Sequence, residues 1–279
     1  TIPARVSRLR SRGTREKCMS NWEAFAIRYA DQEDRTRARA FLMDDNHNAP
    51  YPIDFYIWLL RRDDEVILVD TGFDGQEARK RGFELRQEIG PALAPFGLQP
   101  EDITKLIVTH LHFDHAGGLH LFPNATLYLQ AAEMAYATGP CMCHDALRAP
   151  FTGAHVCEAV KALYSGKLVF FEGDAEVADG VTVHAIGGHS KGLQAVRVRT
   201  EAGWLVLASD AAHFYENFER RVPFPLVVDV EAMLIGFDRL TQLASSPDLI
   251  VPGHDPLVRS YFPGDIGAEI WRLDRGRAG

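Results

Sequence analysis

The chain of 279 residues is poor in cysteine, with only Cys18, Cys141, Cys143 and Cys157. They are too few and too unevenly spread for a disulfide framework, so a reducing, cytoplasmic compartment is expected. No uninterrupted apolar run approaches the roughly 20 residues of a membrane helix, which excludes an expected span. The body of the chain also lacks a long basic stripe, and the formal net charge is −8. That argues against nucleic acid or an anionic membrane as the main partner and favours a small diffusible substrate. The basic residues that do cluster stand at the start: Arg5, Arg8, Arg10, Arg12, Arg15 and Lys17 against Glu16 alone. Removing residues 1–18 leaves 24 basic and 37 acidic residues, a net charge of −13. This segment lacks the apolar stretch of a secretory signal. Residues 1–18 are therefore expected to be a basic extension, disordered or not native, with Met19-Ser20 as the natural start and residues 19–279 as a single domain.

What is present in abundance is concentrated in one stretch, Thr109-His110-Leu111-His112-Phe113-Asp114-His115-Ala116-Gly117-Gly118. Three histidines and one carboxylate follow directly on Leu106-Ile107-Val108, an apolar run that reads as a buried strand. In an extended or turning backbone His110 and His112 share one side, while Asp114 and His115 come round toward the same point. Imidazole and carboxylate suit borderline divalent ions such as zinc, with a position left for water.

Around this stretch the pattern alternates. Phe25–Ala30 and Arg37–Leu42 read as strands. Phe55–Leu60 and Glu65–Asp70 form a hairpin through Arg61-Arg62-Asp63-Asp64. Asp70-Thr71-Gly72 ends that hairpin, where the carboxylate is expected to cap backbone N–H groups or to orient a metal ligand. Helices are expected over Gly75–Arg81 and Leu85–Phe96, a strand over Ala125–Leu129 and a helix over Ala131–Ala137. The second half returns to strands at Lys167–Phe171, Val181–Ile186, Gln194–Arg199 and Trp204–Ala208. A helix follows from Val230 to about Ala244, capped by Asp229. Three further metal-competent residues stand at strand ends: His189, Asp210 and His254. Between Tyr136 and Lys167, Cys141-Met142-Cys143-His144 and His155-Val156-Cys157 suggest either a second, soft metal site or an insertion over the active-site mouth.

With these residues in place the chain resembles the metallo-β-lactamase superfamily, and within it the dinuclear lactonases of the N-acyl homoserine lactonase type. The resemblance begins at about residue 20 and implies an α/β fold, a four-layer αββα sandwich. It implies that His110, His112 and His189 hold one divalent ion, Asp114, His115 and His254 a second, and that Asp210 bridges them. Zinc is the expected metal, with manganese, iron and cobalt as alternatives. The implied reaction is opening of a lactone ring by a metal-bridging hydroxide, a quorum-quenching activity if the lactone is an acyl homoserine lactone. Asp114 is expected to orient that hydroxide. Hydrolysis of a thioester, a phosphodiester or an amide is the alternative.

One position departs from the lactonase pattern. A tyrosine three residues after the bridging aspartate contacts the substrate carbonyl in those enzymes, and here that residue is His213, with Tyr215 two further on. Either is a candidate donor to a developing oxyanion. His213 is equally expected to begin a helix over His213–Glu219. The substrate pocket is expected between the Asp44–Tyr56 segment, the Tyr136–Cys157 insertion and His213–Phe218, with Tyr51, Phe55, Phe214 and Tyr215 lining it.

Overall fold

The computed structural model describes residues 20–264 and 266–278; the basic extension with Cys18 lies outside them. Among the described residues thirteen strands occur in the order β1 Glu23–Gln32, β2 Ile53–Arg62, β3 Glu65–Val69, β4 Glu84–Leu85, β5 Lys105–Ile107, β6 Thr126–Gln130, β7 Leu168–Phe171, β8 Ala175–Ala178, β9 Val181–Ala185, β10 Gln194–Thr200, β11 Gly203–Ser209, β12 Ile250–Pro252 and β13 Ile270–Arg272. The helices are α1 Gly75–Arg81, α2 Phe113–Ala116, α3 Ala131–Ala137, α4 Asp145–Arg148, α5 Gly153–Tyr164, α6 Tyr215–Glu219, α7 Val230–Leu243 and α8 Val258–Tyr261.

The strands form two sheets. The first runs β13-β1-β2-β3-β5-β6-β7, with β4 also paired to β1, and the second runs β12-β11-β10-β9-β8. Strand β2 explains the layering. Its residues are apolar at both parities, and Phe55, Ile57 and Leu59 enter one core while Tyr56, Trp58 and Leu60 enter the other. The outer core packs the first sheet against Phe73, Phe113, Met134 and Ala159, from or beside α1, α2, α3 and α5. The second core joins Trp58 and Leu60 to Val183, Val196 and Leu207 of the second sheet and to Met233, Phe237 and Leu240 of α7. The result is the expected αββα sandwich.

Helix α7 forms where its apolar spacing and cap predict. Asp229 accepts a hydrogen bond from the Ala232 N–H, and Met233, Gly236, Phe237 and Leu240 present one buried face. Three expectations are corrected. Arg37–Leu42 is not a strand but begins as a single 3₁₀ turn, Arg37–Arg39, because the Arg37 guanidinium is drawn between Asp44 and Glu216 instead of lying on a sheet face. Leu85–Phe96 is not a helix: Leu85 pairs with Ala30 of β1, and only a 3₁₀ segment, Pro91–Phe96, follows. Pro91 and Pro95 lack the N–H donors that a longer α-helix needs. The helix expected from His213 starts at Tyr215.

Two parallel pairings position the chemistry. Val69 lies opposite Ile107, which brings Asp70 beside Thr109, and Ser209 lies opposite Pro252, which brings Asp210 beside His254. Polar residues thus gather at the C-terminal ends of strands from both sheets. Among the described residues no helix is long and apolar enough to cross a membrane.

Candidate metal centre

The loop after β5 is clamped to the turn after β3. Thr71 N and Oγ1 both donate to the His115 carbonyl, at 2.8 and 2.9 Å, and Gly118 N donates back to Thr71 Oγ1 at 3.1 Å. A Cβ at Gly117 would lie 2.5 Å from the Gly72 carbonyl oxygen, and one at Gly118 2.4 Å from that of Thr71, so this approach requires glycine at both positions. Asp70 and Ser209 take left-handed backbone conformations, with φ of 63° and 47°. Such strain in non-glycine residues is maintained only where surrounding contacts over-determine it.

Two groups of metal-competent atoms result, His110, His112, His189 and Asp210, and Asp114, His115, Asp210 and His254; the atoms of each group lie within 4.8 Å of one another. All seven side chains are buried. The two oxygens of Asp210 face different partners. Oδ2 lies 3.0 Å from His189 Nε2 and 3.6 Å from His110 Nε2, while Oδ1 lies 2.9 Å from His254 Nε2 and 3.2 Å from His115 Nε2. Asp114 Oδ2 stands 3.7 Å from both His115 and His254 Nε2.

The outer nitrogens are held from behind. His115 Nδ1 donates to Asp70 Oδ2 at 2.7 Å, His189 Nδ1 to the Leu226 carbonyl at 2.6 Å, and His254 Nδ1 to the Asp54 carbonyl at 2.9 Å. These contacts aim each Nε2 inward. His112 is turned the other way, its Nδ1 meeting His189 Nε2 at 2.9 Å. Asp70 also accepts the Thr109 N–H and hydroxyl, each at 2.7 Å, so it both caps the loop and orients a histidine.

A pair of divalent ions fits this donor set. His110 Nε2 and His115 Nε2 are fully buried and make no hydrogen bond, a state that a metal bond would resolve. Burial, aided by the neighbouring imidazoles, holds His110 and His112 well below the ordinary histidine value, so they stand neutral as metal ligands must. Burial alone would raise Asp210, but His213, His115, His254 and His189 outweigh it and keep it well below the usual carboxylate range. For His115 burial is outweighed by Asp210, Asp114 and Asp70, and its value is raised.

Beside these groups opens a cavity of about 490 Å³ whose lining includes Arg35, Ile53, Phe55, Phe83, His213 and Phe224. His213 belongs to this site and not to a helix: its Nε2 lies 3.1 Å from Asp210 Oδ2 and its ring stacks on Phe224 with centroids 3.6 Å apart. Burial pushes it down to about 3, against the pull of Asp210. Tyr215 does not join it. The turn from Phe214 into α6 carries Tyr215 into the inter-sheet core, between Phe218, Tyr261 and Arg277. Tyr51 and Phe214 pack together in the outer layer, with ring centroids 4.9 Å apart, outside the cavity lining. From the Tyr136–Cys157 segment the cavity takes Ala149 and Pro150. Cys143 and Cys157 are exposed, and neither group of metal-competent atoms includes a cysteine. Arg35, Phe83 and Phe224 were not anticipated; Arg35 sits in the charged run Gln32-Glu33-Asp34-Arg35, which has the composition of a solvated turn.

Residues 56–254 match the metallo-beta-lactamase superfamily, a span that takes in all seven side chains. The chain belongs to that superfamily. It is a metal-dependent hydrolase of this fold. Among its relatives, an N-acyl homoserine lactonase of Bacillus cereus is 34% identical over 216 residues, covering 72% of this chain and 80% of the relative. The superfamily fold is shared with a solved quorum-quenching N-acyl homoserine lactone lactonase at 27% identity and a TM-score of 0.72, covering 87% of this chain and 96% of that one. A solved N-acyl homoserine lactone hydrolase with N-hexanoyl-L-homoserine at its catalytic metal centre is 26% identical, with a TM-score of 0.70 over 85% of this chain and 95% of that one.

Proposed function

We propose that this hydrolase opens lactone rings at a centre of two divalent ions. The observation that carries the reading is Asp210, whose two oxygens address two separate sets of histidines. His110, His112 and His189 would hold one ion, Asp114, His115 and His254 the other, with Asp210 reaching both. The nitrogen-rich donor set favours zinc over harder ions. Such ions supply Lewis acidity and an acidified water at neutral pH.

The chain's own groups do the rest. Asp114, in the first turn of α2, has its backbone carbonyl held by the Tyr29 hydroxyl at 2.8 Å, which fixes the residue so that its carboxylate, besides holding the ion, would orient water. His213, neutral and pressed flat on Phe224, directs Nε2 at Asp210 Oδ2, and that N–H would turn to the carbonyl oxygen as negative charge develops there. Ile53, Phe55, Phe83 and Phe224 exclude water and receive the apolar part of the substrate, an acyl chain or an aromatic ring. The similarity to acyl homoserine lactonases supports the choice of lactones among carbonyl substrates.

The test is Asp210→Asn and His112→Ala, assayed for lactone opening and for bound metal. His112 caps α2 and Asp210 follows β11, both in loops and not in an apolar core, so each variant is expected to fold and to lose hydrolysis. Near-wild-type turnover in either variant would overturn the two-ion assignment.

A further inference from the structure

Glu133, in the first turn of α3, is fully buried and belongs to neither group of metal-competent atoms. Burying a carboxylate is costly unless its oxygens are hydrogen-bonded. Here Oε1 accepts the Leu111 N–H at 2.9 Å, and Oε2 accepts the Gly192 N–H at 2.9 Å together with the Ser190 hydroxyl. No cation is among these partners. The donors instead flank histidines of the site: Leu111 lies between His110 and His112, Ser190 follows His189, and Gly192 is two residues further on.

One carboxylate therefore ties the loop after β5, in the first sheet, to the loop after β9, in the second, and between them these loops carry His110, His112 and His189. The approach is close. A Cβ on Gly192 would overlap the backbone nitrogen of Glu133, so the second loop reaches α3 only with glycine at that position. From its other side that loop is pinned to the approach of α7, where the Gly188 carbonyl accepts the Val228 and Asp229 N–H groups at 2.8 and 3.0 Å. Along Thr109–His115 two buried carboxylates divide the donors. Asp70 takes the Thr109 N–H and the His115 ring, and Glu133 takes the Leu111 N–H between the other two histidines.

We propose that Glu133 is the positioning residue of the ion assigned to His110, His112 and His189, and that it sets the affinity of that ion by fixing the spacing of the two loops that carry its ligands. The assignment rests on the two-ion reading above. It makes Glu133 the counterpart of Asp70, which serves the other ion through His115. Glu133→Gln keeps the volume and removes one acceptor, because an amide has a single acceptor oxygen. With that oxygen toward Leu111, the amide hydrogens face the Gly192 N–H; turned about, they face the Leu111 N–H. One loop is released in either case.

The experiment loads the full chain with cadmium-113 and follows each bound ion by its own resonance while a chelator is titrated in. The wild type is expected to give two resonances, and His112→Ala, which removes a ligand of one ion only, identifies the resonance of the His110, His112 and His189 ion. Glu133→Gln should lose that resonance at a chelator concentration about 10- to 100-fold lower than the wild type does, with the second resonance unmoved. Asp70→Asn should show the reverse. Ser190→Ala removes only the hydroxyl and leaves both backbone donors bonded, so it should shift the same resonance as Glu133→Gln by less; if Glu133→Gln does not fold, this variant decides alone. Loss of both resonances in parallel, which a merely structural role would give, or release of the assigned ion at the wild-type concentration, would overturn the proposal. Lactone opening by the zinc-loaded wild type is measured beside it. If no lactone is opened but the crossed pattern of Glu133→Gln and Asp70→Asn is found, the assignment of Glu133 stands and the lactonase reading falls. A single wild-type resonance that Glu133→Gln does not weaken overturns both the assignment and the two-ion reading.

Discussion

Replacing Asp70 by asparagine changes almost no volume, yet it strikes one half of the site. Asp70 is fully buried and accepts three hydrogen bonds: the Thr109 N–H on one oxygen, and the Thr109 hydroxyl and His115 Nδ1 on the other, each at 2.7 Å. An asparagine has one acceptor oxygen. If that oxygen faces His115, its amide hydrogens face the Thr109 N–H; if it faces Thr109, they confront the His115 Nδ1–H and force the imidazole to release its orientation. Either way one charge-assisted bond is lost, worth about 1.5–3 kcal/mol, and no solvent reaches the pair to weaken it. Positioning groups of this kind are typically worth about 10- to 100-fold in metal affinity. Asp70→Asn should therefore release the ion assigned to Asp114, His115 and His254 at a correspondingly lower chelator concentration, with the ion of His110, His112 and His189 retained longer. Competition with a chromogenic chelator, followed as metal per chain, reads this directly. Release of both ions at the wild-type chelator concentration would refute the orienting role of Asp70.

Other perturbations reach different parts of the account. His213→Phe preserves the stack on Phe224 but removes Nε2, and should lower kcat by about 10²-fold or more with metal content unchanged; loss of metal instead would make His213 a ligand. Gly118→Ala forces a Cβ onto the Thr71 carbonyl and should destabilise the chain by about 1–3 kcal/mol in urea unfolding, so an unchanged midpoint would mean the loop is not clamped there. Glu216 is held down from 4.5 to about 2, first by its hydrogen bond to Arg37. A depressed value means that its contribution is complete above about pH 4.5 and disappears as pH falls toward 2. Glu216→Gln should accordingly lower Tm at pH 6 and by progressively less below pH 4.5, and a pH-independent gap would contradict the ion pair.

The seven metal-competent residues were legible because they obey local rules, and the sandwich was legible through the family resemblance that those residues carry. Each cluster follows a short apolar strand, and polar residues that recur at strand ends have few reasons to do so other than chemistry. The failures are tertiary. Arg37-Ala38-Arg39-Ala40-Phe41-Leu42 alternates like a strand, but Asp44 and Glu216 capture Arg37, and no strand partner competes with them. In Leu85–Phe96 the apolar spacing is helical, and the two prolines were the contrary signal. Arg35 is indistinguishable in sequence from a solvated charge. Phe224, brought across from the loop before α7, packs against it in the fold. Tyr215 and His213 are two residues apart, and the change of direction at Phe214 sends one into the core and the other into the cavity.

The most direct test of the central claim measures bound metal and turnover on one preparation, with lactones set beside a thioester and a phosphodiester. The account predicts two divalent ions per chain and ring opening of a lactone, both abolished together by chelation and restored together by metal. Two ions with cleavage of the thioester or phosphodiester and no lactone opened would contradict it, as would lactone opening that persists with one ion or none.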